Sequence, residues 1–132
     1  MSNTPKKTYT LTLSEEHAQI VVKALDLYSR IGIGQFENIL EVYDQGFVVT
    51  GELRDTARGC INRVKLIFGH PENGSHGIHN PKVNDDFRVA YDIQQVLRHR
   101  LAFDRNPKGG ITVDFDTPRA ISDLPLPTIQ SE

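Results

Sequence analysis

The stretch TYTLTLSEEHAQIVVKALDLYSRIGIG, residues 8–34, says most about the fold. Apolar residues at positions 9, 11 and 13 alternate with threonines, which is the period-two pattern of a half-buried strand. Ser14 follows as a natural N-cap, with two glutamates in the first turn of the helix that it would begin. A broad apolar stripe then continues as far as the glycines at residues 32 and 34. The stretch predicts a β-strand that runs directly into a long helix.

Further helices and a second strand are predicted downstream. Apolar residues at helical spacing predict a short second helix ending near Gly46, a third over residues 50–68, and a fourth from Asn84 to about Arg105. Residues 111–116 alternate apolar and polar side chains and predict the second strand. The expected fold class is α+β: a mostly helical single domain with two β-strands, N-terminal and near the C-terminus, around three to four helices.

The chain has 132 residues, which suits one domain. We predict a flexible polar arm over residues 1–6, a single α+β domain over residues 7–117 and a Pro-rich C-terminal tail over residues 118–132. The first helix is apolar on more than one face, which favours a homo-oligomer with this helix at its interface.

Composition narrows the class of protein. The formal charge of -2 argues against coating of nucleic acid by bulk charge, because such domains are usually strongly basic. The single cysteine, Cys60, excludes an internal disulfide. No apolar run is long enough for a membrane span, and the N-terminus has no signal-peptide core. We expect a cytoplasmic protein whose partner is neither a membrane nor a nucleic acid.

Basic side chains at helical spacing indicate a site for a phosphorylated ligand. Arg54 and Arg58 share a flank of the third predicted helix. Tyr91, Arg98 and Arg105 are spaced by seven residues and share a face of the fourth. Arginine binds phosphate through paired hydrogen bonds and aromatic rings stack on bases, so the grouping suits a nucleotide. Salt bridges to neighbouring carboxylates would also account for these basic residues, with no ligand involved.

The loop between the third and fourth helices is rich in histidine. Its histidines either contact a ligand or hydrogen-bond the loop itself, and their spacing matches no zinc motif. Asp114 and Asp116 would share a strand face, as polar residues on any exposed strand do. We therefore assign no catalytic residue, no metal ligand and no cofactor. The candidate ligand-binding residues are Arg54, Arg58, His76, His79, Tyr91, Arg98 and Arg105.

Four segments resemble small proteins of unassigned function that are encoded by tailed phages and prophages. The segments are KALDLYSRIGIGQFE (residues 23–37), FGHPENGSHGIHN (68–80), RVAYDIQQVLRHR (88–100) and ITVDFDTPR (111–119). The resemblance extends from about Leu11 to Pro127. It implies a phage accessory protein that acts in the host cytoplasm, and it supplies no catalytic or ligand residue.

Three functions are compatible with this sequence. The first is an anti-defence protein that binds and sequesters a phosphorylated, nucleotide-type immune signal without catalysis. The second is a protein–protein inhibitor that engages a host enzyme through its apolar first helix or its tail. The third is a small metal-dependent hydrolase that uses the His-rich loop with Asp114 and Asp116.

Overall fold

The computed structural model describes residues 6–44, 51–72 and 74–131. These residues contain four α-helices and one short 3-10 helix. In chain order they are α1 (Glu15–Gly32), α2 (Asn38–Asp44), α3 (Gly51–Ile67), α4 (Asp85–Arg105) and the 3-10 helix Val113–Phe115.

The predicted helix boundaries agree closely with the structure. The Ser14 hydroxyl accepts a hydrogen bond from the backbone N–H of His17 at 3.1 Å, which caps α1 as expected. Asn84 caps α4 in the same way, through the N–H of Asp86. The predicted limits at Gly46 and Thr50 lie outside the described residues.

The prediction of two β-strands is wrong, and with it the α+β fold class. The described residues form no strand. Tyr9 and Leu11 are 84% and 75% exposed, so the N-terminal alternation faces no apolar surface. Residues 112–116 close into a 3-10 turn instead, with hydrogen bonds from the N–H of Phe115 to Thr112 and from the N–H of Asp116 to Val113. An alternating pattern predicts a strand only where a second strand and a buried face exist.

The centre of the fold is the antiparallel pair of α1 and α4. The Arg105 guanidinium at the end of α4 bonds Glu15 at the start of α1, and Phe87 near the start of α4 packs on Tyr28 near the end of α1. Gly32 lets the Phe87 ring pack directly against the backbone of α1, because a Cβ at this position would lie 2.0 Å from that ring. One side of α1 is therefore covered by α4, while Ile20 on α1 stays 62% exposed.

The C-terminal tail lies along α4 and is held by buried polar groups. The carboxylate of Asp92, 2% exposed, accepts hydrogen bonds from the N–H groups of Ile121 and Ser122 and from the Ser122 hydroxyl. The side chain of Gln95 bonds both the N–H and the carbonyl of Arg119. Together these contacts fix the tail to the middle of α4.

Helix α3 stands apart from the other helices. Among the described residues, no Cα of α3 comes within 8 Å of a Cα in α1, α2 or α4. Side chains make the connections: Arg54 bonds Asp44 at 2.9 Å, Lys65 bonds Glu37, and Phe68 packs edge-on against Phe36. None of the helices in the described ranges is long and apolar enough to cross a membrane.

Candidate ligand-binding groove

A groove of about 560 Å³ runs between α1 and α4 and is closed at one side by the 3-10 helix. Four basic side chains line it: Lys23 and Arg30 from α1, and Arg98 and Arg105 from α4. Each pair is spaced by seven residues, so both members lie on the same face of their helix. Antiparallel packing sets these two faces against each other, which concentrates positive charge in one groove.

Carboxylates partly balance this charge. Arg30 bonds Asp26 at 2.9 Å, Arg98 approaches Asp114 at 3.7 Å, and Arg105 bonds Glu15 at 2.7 Å. Asp26 and Asp114 also line the groove, whose lining therefore carries four basic and two acidic groups. Ion pairs this exposed contribute only about 0–1 kcal/mol each. An incoming anion with two negative charges can displace them at low cost.

Gln94 gives the groove a polar group that has no partner. Its side chain lines the groove but is only 5% exposed. Its Oε1 is enclosed and accepts no hydrogen bond from any described residue. A buried amide oxygen without a donor costs about 1–3 kcal/mol, so such groups normally have a partner. A ligand in the groove that reorients this amide and bonds it would recover that cost.

Tyr91 and Phe115 are the aromatic residues nearest to the groove. The Tyr91 ring lies 5.7 Å from the Arg98 guanidinium, which is a cation–π contact. Tyr91 therefore orients Arg98 and does not itself line the groove. Phe115 does line it, on a 3-10 helix that is held by packing of its ring against Phe103. The aromatic surface available to a base comes from Phe115.

The other predicted site residues lie elsewhere. Arg54 is paired with Asp44. Arg58 lines a separate depression of about 440 Å³ beside α3. His76 bonds His70, and His79 is exposed on the loop. Of the seven candidates, Arg98 and Arg105 line the groove, and Tyr91 contacts it through Arg98.

His70 and His76 form a hydrogen-bonded pair. Their Nδ1 atoms are 2.8 Å apart, so at least one ring must be neutral in order to accept. Burial lowers the pKa of His70 below its ordinary value of 6.5, and positive charge on His76 and Lys65 lowers it further. Burial raises the pKa of Glu37, but the hydrogen bond from Lys65, a backbone hydrogen bond and the positive charge of Lys65 together outweigh it and leave that pKa below its usual value.

The depressed pKa of His70 predicts loss of stability on mild acidification. Since the unfolded chain takes up this proton at about pH 6.5 and the folded chain only at lower pH, stability falls as the pH drops through about 6.5. His70→Gln should reduce this slope, measured as the urea midpoint at a series of pH values. His79→Gln, on the exposed part of the same loop, should keep the wild-type slope. Equal slopes in wild type and His70→Gln would refute the assignment.

Sequence reasoning missed Lys23, Arg30 and Gln94. The signal for Lys23 and Arg30 was their spacing of seven, the same as that of Arg98 and Arg105. It became meaningful only once α1 was known to pack antiparallel against α4. No sequence signal marks Gln94, because an unpartnered amide is visible only in three dimensions.

The described residues contain no group of three or more His, Cys, Asp or Glu side chains arranged to hold a metal ion. No family model, curated protein or solved structure matches the chain. The groove between α1 and α4 is therefore interpreted from its own chemistry.

Proposed function

We propose that the groove between α1 and α4 binds a small phosphorylated ligand of nucleotide type, and that the protein sequesters this ligand without transforming it. The observation that carries the proposal is the convergence of four basic side chains on one groove that also contains the unpartnered amide of Gln94. Phosphate attracts the basic groups, while an amide selects a hydrogen-bonding group such as a base or a ribose.

The residues that line the groove fall into two groups, one suited to phosphate and one suited to a ring system. Arg30, Arg98 and Arg105 present guanidinium groups, which match the oxygens of phosphate in a planar, paired geometry. Gln94 and the ring of Phe115 supply hydrogen bonding and an apolar surface. A ligand with phosphate at one end and a ring system at the other uses both.

The resemblance to small phage-encoded proteins supports a biological setting for this binding. In the host cytoplasm, a protein present in excess lowers the free concentration of a signalling nucleotide simply by binding it. We infer an anti-defence role in which the bound ligand is an immune signal of the host.

Substitution of the groove arginines tests the site. We expect Arg98→Ala and Arg105→Ala each to weaken binding roughly ten- to a hundred-fold, since a hydrogen bond to a charged group contributes about 1.5–3 kcal/mol. The measurement is calorimetric titration against a panel of cyclic nucleotides and ADP-ribose-type nucleotides, with inorganic phosphate alongside.

Arg100→Ala is the matched control. Arg100 lies on the same helix and bonds Asp104 at 2.7 Å, but it does not line the groove. Its loss should leave affinity within about two-fold of wild type. If no nucleotide binds the wild type, or if all three variants bind equally well, the site is assigned wrongly.

Recovery of the ligand distinguishes sequestration from hydrolysis. A bound nucleotide should be released chemically unchanged when the complex is denatured by heat. Recovery of cleaved products instead would show that the protein hydrolyses the nucleotide. That result would contradict sequestration but not the assignment of the binding site.

A further inference from the structure

Helix α3 carries an apolar stripe that none of the described residues covers. Leu53, Ala57, Cys60, Val64 and Ile67 follow one another at alternating steps of four and three residues, which places them along one side of the helix. Leu53 is 74% exposed, Val64 is 40% exposed and Ile67 is 77% exposed. A 17-residue helix is marginal in water unless its apolar side is packed. The stripe therefore needs a partner.

The contacts of α3 with its own chain lie on a different side. Arg54 and Lys65, which bond Asp44 and Glu37, project about 100° around the helix from the stripe. Lys65 is 1% exposed, so this flank of α3 is buried where it contacts the rest of the protein. Its attachment leaves the stripe directed away from the other described helices.

Charge on the opposite flank indicates what the partner is. Glu52 and Arg63 are exposed, lie on the same flank beside the stripe, and form no ion pair with any described residue. They are eleven residues apart, or about 16 Å along the helix axis, too far to meet within one helix. In an antiparallel pair of identical helices, Glu52 of each copy lies beside Arg63 of the other. The charges on this flank of one copy are therefore complementary to those on the same flank of a second copy.

We propose that α3 pairs antiparallel with α3 of a second copy of this chain. The two apolar stripes form the centre of a two-fold interface, and two Glu52–Arg63 ion pairs flank it. The Glu52–Arg63 pairs place the twofold axis between Ala57 and Arg58, so the two Cys60 residues lie on either side of it, about 7.5 Å apart along the helix axis. This interface is independent of the ligand groove, which lies between α1 and α4.

Light scattering and a charge-reversal series on the full chain test the proposal. The wild type should have twice the 14.9 kDa mass of one chain. Glu52→Arg and Arg63→Glu should each weaken dimerisation about ten-fold, because like charges then face each other, and the double reversal should restore wild-type affinity. Restoration is specific to a second copy, since a different partner would not carry the compensating change.

Two further variants separate the interface from general effects on folding. Ile67→Asp should give a folded monomer. Light scattering measures its mass, and circular dichroism checks that its helix content is that of the wild type. Ile111→Asp, at a fully exposed apolar residue far from α3 in sequence, should stay dimeric. A wild type with the mass of one chain over a wide concentration range overturns the proposal, as does a double reversal that dimerises no better than the single variants.

Chemical cross-linking gives a geometric check. Cys60 is the only cysteine, so a short bismaleimide that joins two chains must join them at this residue. Efficient cross-linking of the wild type, lost in Ile67→Asp, is the expected result. No cross-linked product from a wild type that reacts fully with a monofunctional maleimide contradicts the antiparallel arrangement.

Discussion

Asp92→Ala should lower the free energy of unfolding by about 3–5 kcal/mol, because hydrogen bonds to a charged acceptor contribute about 1.5–3 kcal/mol each. The carboxylate of Asp92 is 2% exposed and accepts from the N–H of Ile121, the N–H and hydroxyl of Ser122, and the Gln95 amide. Its removal leaves the tail without its main attachment to α4. Urea unfolding followed by circular dichroism measures the loss.

Asp116→Ala is the control for removal of a carboxylate. Asp116 is exposed and its side chain bonds no described residue, so this change should cost less than about 0.5 kcal/mol. The loss of stability in Asp92→Asn should lie between those of the two alanine variants. The asparagine amide keeps one oxygen that accepts a hydrogen bond, but its NH2 group faces an N–H donor and cannot accept from it. Equal urea midpoints for Asp92→Ala and Asp116→Ala would show that the buried carboxylate does not hold the tail.

Gly32→Ala should destabilise the protein by about 3 kcal/mol, the upper end of the range for overpacking. The added methyl group would lie 2.0 Å from Cγ of the Phe87 ring, which packs on the end of α1. Gly59→Ala, in α3, should have the opposite sign. No atom of the described residues outside the helix's own backbone lies within 4 Å of its added Cβ, and alanine favours helix over glycine by up to about 1 kcal/mol.

A double-mutant cycle assigns the cost of Gly32→Ala to its cause. Phe87→Ala removes the ring that the new methyl group meets, so in this background Gly32→Ala should cost little or nothing. Strict additivity of the two changes would mean that the close approach is not the source of the effect. Midpoints of urea unfolding for the four proteins give the coupling directly.

The sequence predicted the helices well because their signals are local. The caps at Ser14 and Asn84 and the glycines that follow α1 act within a few residues of where they occur. The prediction of strands was wrong because strand pairing is not local. The sequence around Leu11 alternates apolar and polar residues, but no segment of the described chain pairs with it. The candidate site shows the same division. Arg98 and Arg105 were found by their spacing on one helix, whereas Lys23 and Arg30 join them only through tertiary packing.

The central packing joins the first helix to the last one along the chain. Helix α1 ends at Gly32, and α4 is complete only at Arg105, roughly seventy residues later. At a synthesis rate of about 5–20 residues per second, the ribosome makes this intervening chain in roughly 4–15 seconds. Throughout that interval the side of α1 that will face α4 has no native cover. The contacts between α1 and α4 therefore form only after α4 has been made, and we expect folding to be slower than for helical bundles whose neighbouring helices are consecutive in sequence.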